Sequence, residues 1–211
     1  MKLFCWMLIV LSASVSWANE VFNASEKKLS ALLKPINSFT AHFNQQLLDT
    51  QGKPSQMLSG VLHGQKPDKV HWSVFEPTAQ TIVSDGSHLW LFDPDLEQVI
   101  IEPYISNSDT NPISLLLGNP QQLSESFDVL GHSLVNQSIL RFTLKPVKLN
   151  ALFSDLIVEF KDQTLSVISF TDSLGQTTQL EFKEFILNPL FKDDFFTFQV
   201  PKGVDVVSHV H

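Results

Sequence analysis

Few residues of this chain are of a type and spacing that could do chemistry. Ser25-Glu26-Lys27-Lys28 matches S-x-x-K, a pattern in which a lysine amine activates a serine nucleophile. It sits at the start of a helical pattern with none of the companion motifs that give it meaning. Asp93, Asp95 and Glu97 resemble the opening of a calcium loop. Pro94 intrudes, however, and the glycine and closing glutamate that such a loop requires are missing. A hairpin turn is the expected reading. His63 and His71 could face each other across a hairpin, and His209 with His211 could chelate a metal near the end of the chain. Neither pair reaches the three-ligand pattern of a catalytic zinc, so all four read as surface histidines. The chain contains no G-x-S-x-G elbow, H-E-x-x-H, phosphate-cradling glycine loop or dinucleotide fingerprint. The expectation is a protein that is not an enzyme, with no catalytic residue, no metal site and no cofactor.

Composition narrows the class. Lys2 is followed by an apolar run from Leu3 to Val15, and Ser16-Trp17-Ala18 places small residues where a signal peptidase cuts. Residues 1–18 therefore read as a secretory signal peptide, too short for a stop-transfer helix, and 19–211 as one domain. Cys5 is the only cysteine. It falls inside the removed segment and too early to be an acylated lipoprotein cysteine, so the mature chain has no disulfide or thiolate. A soluble, non-lipidated periplasmic product follows. The formal net charge is −8, and losing Lys2 makes it more negative. Such a surface repels phosphate backbones, and no basic cluster overrides it, so nucleic acid is excluded as a partner. The aromatic residues are 17 Phe, 4 Trp and 1 Tyr, mostly rings without a hydrogen-bonding group. Core packing accounts for most of them; an apolar cavity is the other reading.

The elements that would position such a cavity begin with Thr81 to Pro103, which reads as three strands. Asp85-Gly86 marks a two-residue hairpin with positive φ at both central positions. Asp93-Pro94-Asp95 breaks the chain again. Leu89-Trp90-Leu91-Phe92 between them is apolar at every position, which requires cover on both faces. Residues 22–36 read as a helix, with Leu29, Leu32, Leu33 and Ile36 on one stripe and Asn23 as cap. It would cover one face of the sheet. Strands are expected at Phe39–Leu47, Gln56–His63, Lys69–Phe75, Ile139–Leu144, Leu156–Phe160, Leu165–Thr171, Thr178–Phe185 and Phe195–Pro201. Short hairpin-linked strands of this kind predict an antiparallel sandwich or barrel. The stretch from Pro103 to Phe127 departs from that rhythm. Asn111-Pro112 opens a short helix and Gly118 closes it, and Asn119-Pro120 opens a second. Ile113, Leu116 and Leu117 make a narrow apolar face. A helix of about six residues is unstable alone, so it either lies on the uncovered side of the sheet or belongs to a crossover loop.

Ser84-Asp85-Gly86 followed by Leu89 to Val99 resembles the LolA family of periplasmic outer-membrane lipoprotein carriers. So do Phe39-x-x-x-Phe43-x-Gln45, Lys66-Pro67-x-x-Val70-x-Trp72, and Asn111-Pro112 before Leu115-Leu116-Leu117. Asp172-x-x-Gly175 and Phe196-x-Phe198-x-x-Pro201-x-Gly203-Val204-Asp205 agree as well. The resemblance implies a mainly β fold: an unclosed antiparallel β-barrel wrapped on an N-terminal helix, with a short-helix lid, residues 103–127, over an apolar concave face. It implies a carrier that accepts acylated outer-membrane lipoproteins from an inner-membrane ABC transporter complex and delivers them to an outer-membrane receptor. Phe43, Leu62, Trp72, Trp90 and Phe92 become the expected acyl-chain lining, Ile113, Leu116 and Leu117 the lid face, and Lys66 the lid latch. Family members commonly carry arginine where this chain has Lys66. An ammonium lacks the planar fork of a guanidinium, so leucine packing is expected to hold the lid more than Lys66 does. The chain is expected to act as a monomer. Two alternatives stay open: a carrier of another lipid, and a ligand-sensing envelope-stress domain.

Overall fold

Phe39, Ala41 and Phe43 alternate with Thr40, His42 and Asn44, and in the structure the first set is buried along strand β1 (Ser38–Leu48). The structure, a computed structural model, describes residues 23–104, 112–120, 123–148 and 151–210. The expected signal peptide with Cys5 and Ala18, the helix start at Phe22, the polar loop over 106–110, Asn111 and His211 lie outside the described residues.

Helix α1 covers 23–33 among them. After β1 come β2 (Pro54–Gln65), β3 (Lys69–Glu76), β4 (Gln80–Asp85), β5 (His88–Asp93) and β6 (Gln98–Pro103). Two one-turn helices follow, α2 (Ser114–Leu117) and α3 (Leu123–Ser126). The chain then returns to β7 (Phe127–Leu134), β8 (Ile139–Pro146), β9 (Phe153–Lys161), β10 (Thr164–Asp172) and β11 (Thr177–Leu187). It ends in the short strand β12 (Asp205–Ser208). All twelve strands form one sheet in the order β12-β6-β5-β4-β3-β2-β1-β11-β10-β9-β8-β7. Neighbours are antiparallel except β12, which runs parallel to β6. β7 and β12 are the two edges and do not pair with each other, so the barrel is unclosed.

The curl of the sheet follows from the single apolar stripe of α1. Leu29 and Leu33 of α1, with Ile36 in the turn just after it, belong to one buried cluster with Phe39, Phe43 and Leu62 from one half of the sheet and Phe142, Leu156 and Val158 from the other. One narrow helix can touch both halves only if the sheet wraps around it. Each buried leucine contributes about 1.5–3 kcal/mol, which holds a helix too short to persist alone.

Several expectations need correction. Asn23 is itself helical, so it is not the cap. Asp85-Gly86 does turn the chain, but only Gly86 has positive φ (91°). The Asp85 carboxylate fixes the turn instead, accepting from the N–H groups of Ser87 and His88 at 2.7 Å each. Residues 195–201 are not a strand. Their backbone is spent on local turns, Phe195 N–H to Lys192 O (3.1 Å) and Thr197 N–H to Asp194 O (3.0 Å). The terminal strand is β12 instead, four residues long and below what periodicity can detect. β7 is likewise absent from the expected strands: its outer positions Leu130 and Leu134 are exposed leucines, which blurs the alternation.

Helix α1 and the 112–127 segment share one buried cluster on the concave face of the sheet. The opposite face of β2 to β5 is covered by the chain after β11, through Phe191, Phe195 and Phe198. Ser38 and Asn188 set the crossing point. The Asn188 amide oxygen accepts from the N–H groups of Asn37 (2.9 Å) and Ser38 (3.1 Å), its amide nitrogen donates to Pro35 O (2.9 Å), and Ser38 Oγ donates to Pro189 O (2.8 Å).

Candidate functional site

The concave wall is built from three strands in register. Leu62 of β2 lies opposite Ala41 of β1 and Trp72 of β3, and Phe43 lies opposite Gly60. Residues directly opposite share a face, so Phe43, Leu62 and Trp72 point to the same side. The Phe43 and Trp72 rings are 4.6 Å apart. Two glycines make room here. A Cβ on Gly60 would meet Ser73 O and, at 2.8 Å, the Phe43 ring. A Cβ on Gly64 would meet the Phe39 ring and, at 2.9 Å, Leu117 Cδ2. Two glycines four residues apart on one strand face are the sequence signal for this trough, one that apolar periodicity does not register.

The lid seats into it. Ile113, Leu115, Leu116 and Leu117 are all buried. Four residues cannot sustain a helix, so its geometry rests on that burial and on local bonds such as Leu116 N–H to Ile113 O (2.9 Å) and Gly118 N–H to Ser114 O (2.8 Å). Ser30 Oγ of α1 donates to Pro120 O (3.1 Å), tying helix and lid together.

Lys66 is placed beside α1. Its Nζ donates to Leu33 O at 3.1 Å, and its own N–H donates to Asn37 O at 2.8 Å. Both acceptors belong to the end of α1 and the turn after it. Burial pushes the ammonium down to about 8, and no carboxylate pairs with it among the described residues. Between about pH 8 and 10.5 the unfolded chain binds a proton that the folded one has given up, so stability rises with pH across that window. Tyr104, pushed up to about 12 by burial and then by Asp68, works in the opposite sense above about pH 10. Urea midpoints between about pH 7.5 and 9.8 are therefore expected to rise for the wild type and to stay flatter for Lys66→Met. Equal slopes would show that Lys66 is not desolvated.

Trp90 and Phe92 are on the other face. Trp72 is opposite Ile82, and Ile82 is opposite Leu91. Trp90 and Phe92 therefore turn away from Trp72, and the structure does not bring the five expected lining residues together. Phe92 packs on Phe198 with ring centroids 5.6 Å apart. His63 and His71, directly paired, lie against Phe195 at 5.0 and 5.5 Å. The His63 imidazole is pushed down to about 4, first by burial and then by His71 and His42. The convex cover is thus a phenylalanine-rich strap, beneath which Val83 and Val99 are buried.

A cleft of about 300 Å³ opens beside the lid between the β2–β3 turn and β7, lined by Asp68, Ser114, Leu115, Leu117, Glu125 and Phe127 among others. The Ser114 hydroxyl on its wall is buried and has no hydrogen-bond partner among the described residues. The other chemical candidates are accounted for locally. Ser25 is fully buried and hydrogen-bonded to Nδ1 of the exposed His132 at 2.8 Å. Asp93 Oδ1 accepts from the N–H groups of Asp95 and Leu96 at 3.0 Å, as a turn residue does. His209 lies 3.6 Å from Glu102. Among the described residues no three His, Cys, Asp or Glu side chains are placed to hold a metal, and no helix is long and apolar enough to cross a membrane.

The family profile described as outer membrane lipoprotein carrier protein LolA matches residues 34–199. An outer-membrane lipoprotein carrier protein of Chromohalobacter salexigens is 33% identical over 98% of each chain. One from Hahella chejuensis is 34% identical over 92% of this chain and 94% of its own. Among solved structures, an uncharacterized conserved protein of Thermus thermophilus superposes with a TM-score of 0.52 at 14% identity, covering 91% of this chain and 99% of the other. That likeness concerns the fold alone.

Proposed function

The chain belongs to the outer membrane lipoprotein carrier family, and from that premise we propose that it is a periplasmic chaperone that shields the acyl chains of outer-membrane lipoproteins on its concave face. The observation that carries this reading is the seat of the lid. Ile113, Leu115, Leu116 and Leu117 occupy the same concave face that Phe43, Leu62 and Trp72 form. The cleft beside them, about 300 Å³, is at the bottom of the range of small-ligand sites, so acyl chains must displace the lid to be covered.

Magnitudes favour such an exchange. Four lid side chains leaving the face cost roughly 6–12 kcal/mol at about 1.5–3 kcal/mol each. One sixteen-carbon chain contributes about 12 kcal/mol at roughly 0.8 kcal/mol per methylene. The two are comparable, so loading and unloading both stay within reach. Several chains held without an opposing cost would exceed the roughly 18–21 kcal/mol ceiling of non-covalent affinity, and handoff would stall.

As the resemblance implies, the donor is an inner-membrane ABC transporter complex and the acceptor an outer-membrane receptor, with the carrier acting as a monomer without chemistry of its own. Lys66 serves in this reading to hold the end of α1, against which the lid rests, while leucine packing closes the lid. Depletion in the native host tests the function. Lipoproteins should accumulate at the inner membrane, and lipid analysis of the purified protein should find acylated protein. Normal lipoprotein sorting, with a free glycolipid or fatty acid as the copurifying cargo, would overturn it.

A further inference from the structure

The chain after β11 crosses the convex face between two fixed ends. Asn188 clamps the first through Pro35, Asn37 and Ser38, and the pairing of β12 with β6 fixes the second. Residues 190–204 between them form no strand and, among the described residues, make no backbone hydrogen bond to the sheet. Side-chain packing holds this strap down. Phe198 rests on Phe92, with ring centroids 5.6 Å apart. The other rings sit on two histidines: Phe191 is 5.8 Å from His63, and Phe195 is 5.0 Å from His63 and 5.5 Å from His71. His63 and His71 are directly opposite on β2 and β3, half-buried, with their own ring centroids 5.9 Å apart. Apolar side chains would seat phenylalanines at any pH; a histidine pair does so only while it is neutral.

The charged groups on every side leave the pair without a counter-ion. Among the described residues no carboxylate forms an ion pair with either ring: Glu184 of β11 is 3.8 Å from His42, and Asp85 of β4 is 3.5 Å from His88. His42 of β1 and Lys69 of β3 share the convex face with the pair, and the residue of β4 opposite His71 is Val83. Lys192, Asp193 and Asp194 of the strap are exposed. The hydroxyls beside the rings serve either protonation state, since a hydroxyl both donates and accepts. Thr40 Oγ1 is 2.9 Å from His63 Nδ1, and Ser73 Oγ is 3.3 Å from His71 Nδ1.

We propose that the strap is an acid-released cover, seated while His63 and His71 are neutral and lifted when they are protonated, which bares the apolar surface at Val83, Val99 and Trp90. This goes beyond the carrier reading and does not depend on what is carried. Two like charges on adjacent rings repel, and an imidazolium regains water only where Phe195 now lies. The pull of an imidazolium toward a phenyl face works the other way, but burial sets the net sense. It is the first cause that pushes His63 down to about 4, and it pushes His71 down as well. Between about pH 4 and 6.5 an uncovered His63 binds a proton that the covered one refuses, so opening grows as pH falls through that window. From pH 7.5 to pH 5, His63 alone raises the opening constant by up to about thirtyfold.

Native-state hydrogen exchange on the full mature chain at pH 7.5 and pH 5, corrected for intrinsic rates, tests this. The reporters are the Phe195 and Thr197 amides, whose bonds to Lys192 O and Asp194 O close short turns that a lifted strap cannot keep alone. Their protection is expected to fall at least tenfold at pH 5, while the amides of β1 keep theirs. His63→Phe, which keeps a ring against Phe195 and takes no proton, should lose most of that fall. His63→Phe combined with His71→Asn should lose nearly all of it. His63→Gln gives the same comparison if the phenylalanine variants do not fold. Equal protection of the strap at both pH values would overturn the proposal. So would a fall shared by β1, which reports global unfolding, or a fall that survives in the double variant, which would assign it to other groups.

Discussion

Truncating Leu116 to alanine is expected to tighten the hold on acylated cargo, not loosen it. Leu116 is fully buried against the concave face in the closed protein, and removing such a side chain costs about 2–5 kcal/mol. That loss falls on the closed, empty state. In the loaded state the lid is displaced and Leu116 has little left to lose. Apparent affinity equals the intrinsic affinity multiplied by the fraction of open protein, so destabilising the closed state raises it. At about 1.4 kcal/mol per tenfold, the lower end of the range already gives roughly thirtyfold. Equilibrium binding and dissociation of a fluorescent diacyl peptide read the effect directly. Cargo should leave more slowly, and the empty variant should melt several degrees lower. A fall in affinity, with unchanged melting, would mean that Leu116 touches cargo and does not oppose it.

The same balance explains what the sequence can and cannot disclose. The strands with one polar face are legible because Phe39, Ala41 and Phe43 alternate strictly, and β1 appears where the pattern puts it. The lid is legible because proline and glycine bracket four apolar residues that nothing local would stabilise. Cover on both faces of Leu89 to Phe92 is also foreseeable, because a strand apolar at every position has no solvent side. What covers each face is not. That depends on the registers linking β3, β4 and β5, which follow from turn geometry and cross-strand pairing that apolar periodicity within one strand does not record. A bulge between Thr40 and His42, opposite Glu184 at φ 50°, shifts the β1–β11 register as well. The phenylalanines of the strap mislead for a physical reason. Consecutive rings at Phe195 and Phe196 look like a buried strand, yet they anchor an irregular segment through their packing, with Phe191 stacked on Phe195 at 4.7 Å. The family role ties Lys66 to the lid, whereas its hydrogen bond here is to the α1 carbonyl.

That division of faces supplies the second large expected effect. The sequence holds four tryptophans, Trp6, Trp17, Trp72 and Trp90, and once the expected leader is removed only Trp72 and Trp90 remain. They differ by face alone: both are half-buried and both sit mid-strand. Trp72→Ala should lower affinity for a diacyl peptide about thirtyfold, taking roughly 2 kcal/mol as half the lower-to-middle cost of a fully buried aromatic. Trp90→Ala should lower stability by a similar amount, because Trp90 lies opposite buried Val83 beneath the strap, and should change cargo affinity less than about twofold. Contact quenching by a brominated acyl chain distinguishes the two without relying on affinity. In Trp90→Phe the remaining Trp72 should be quenched on loading; in Trp72→Phe the remaining Trp90 should stay bright. Quenching of Trp90 would place acyl chains on the convex face, beneath the phenylalanine strap. The strap, not the 112–127 segment, would then be the cover that cargo displaces.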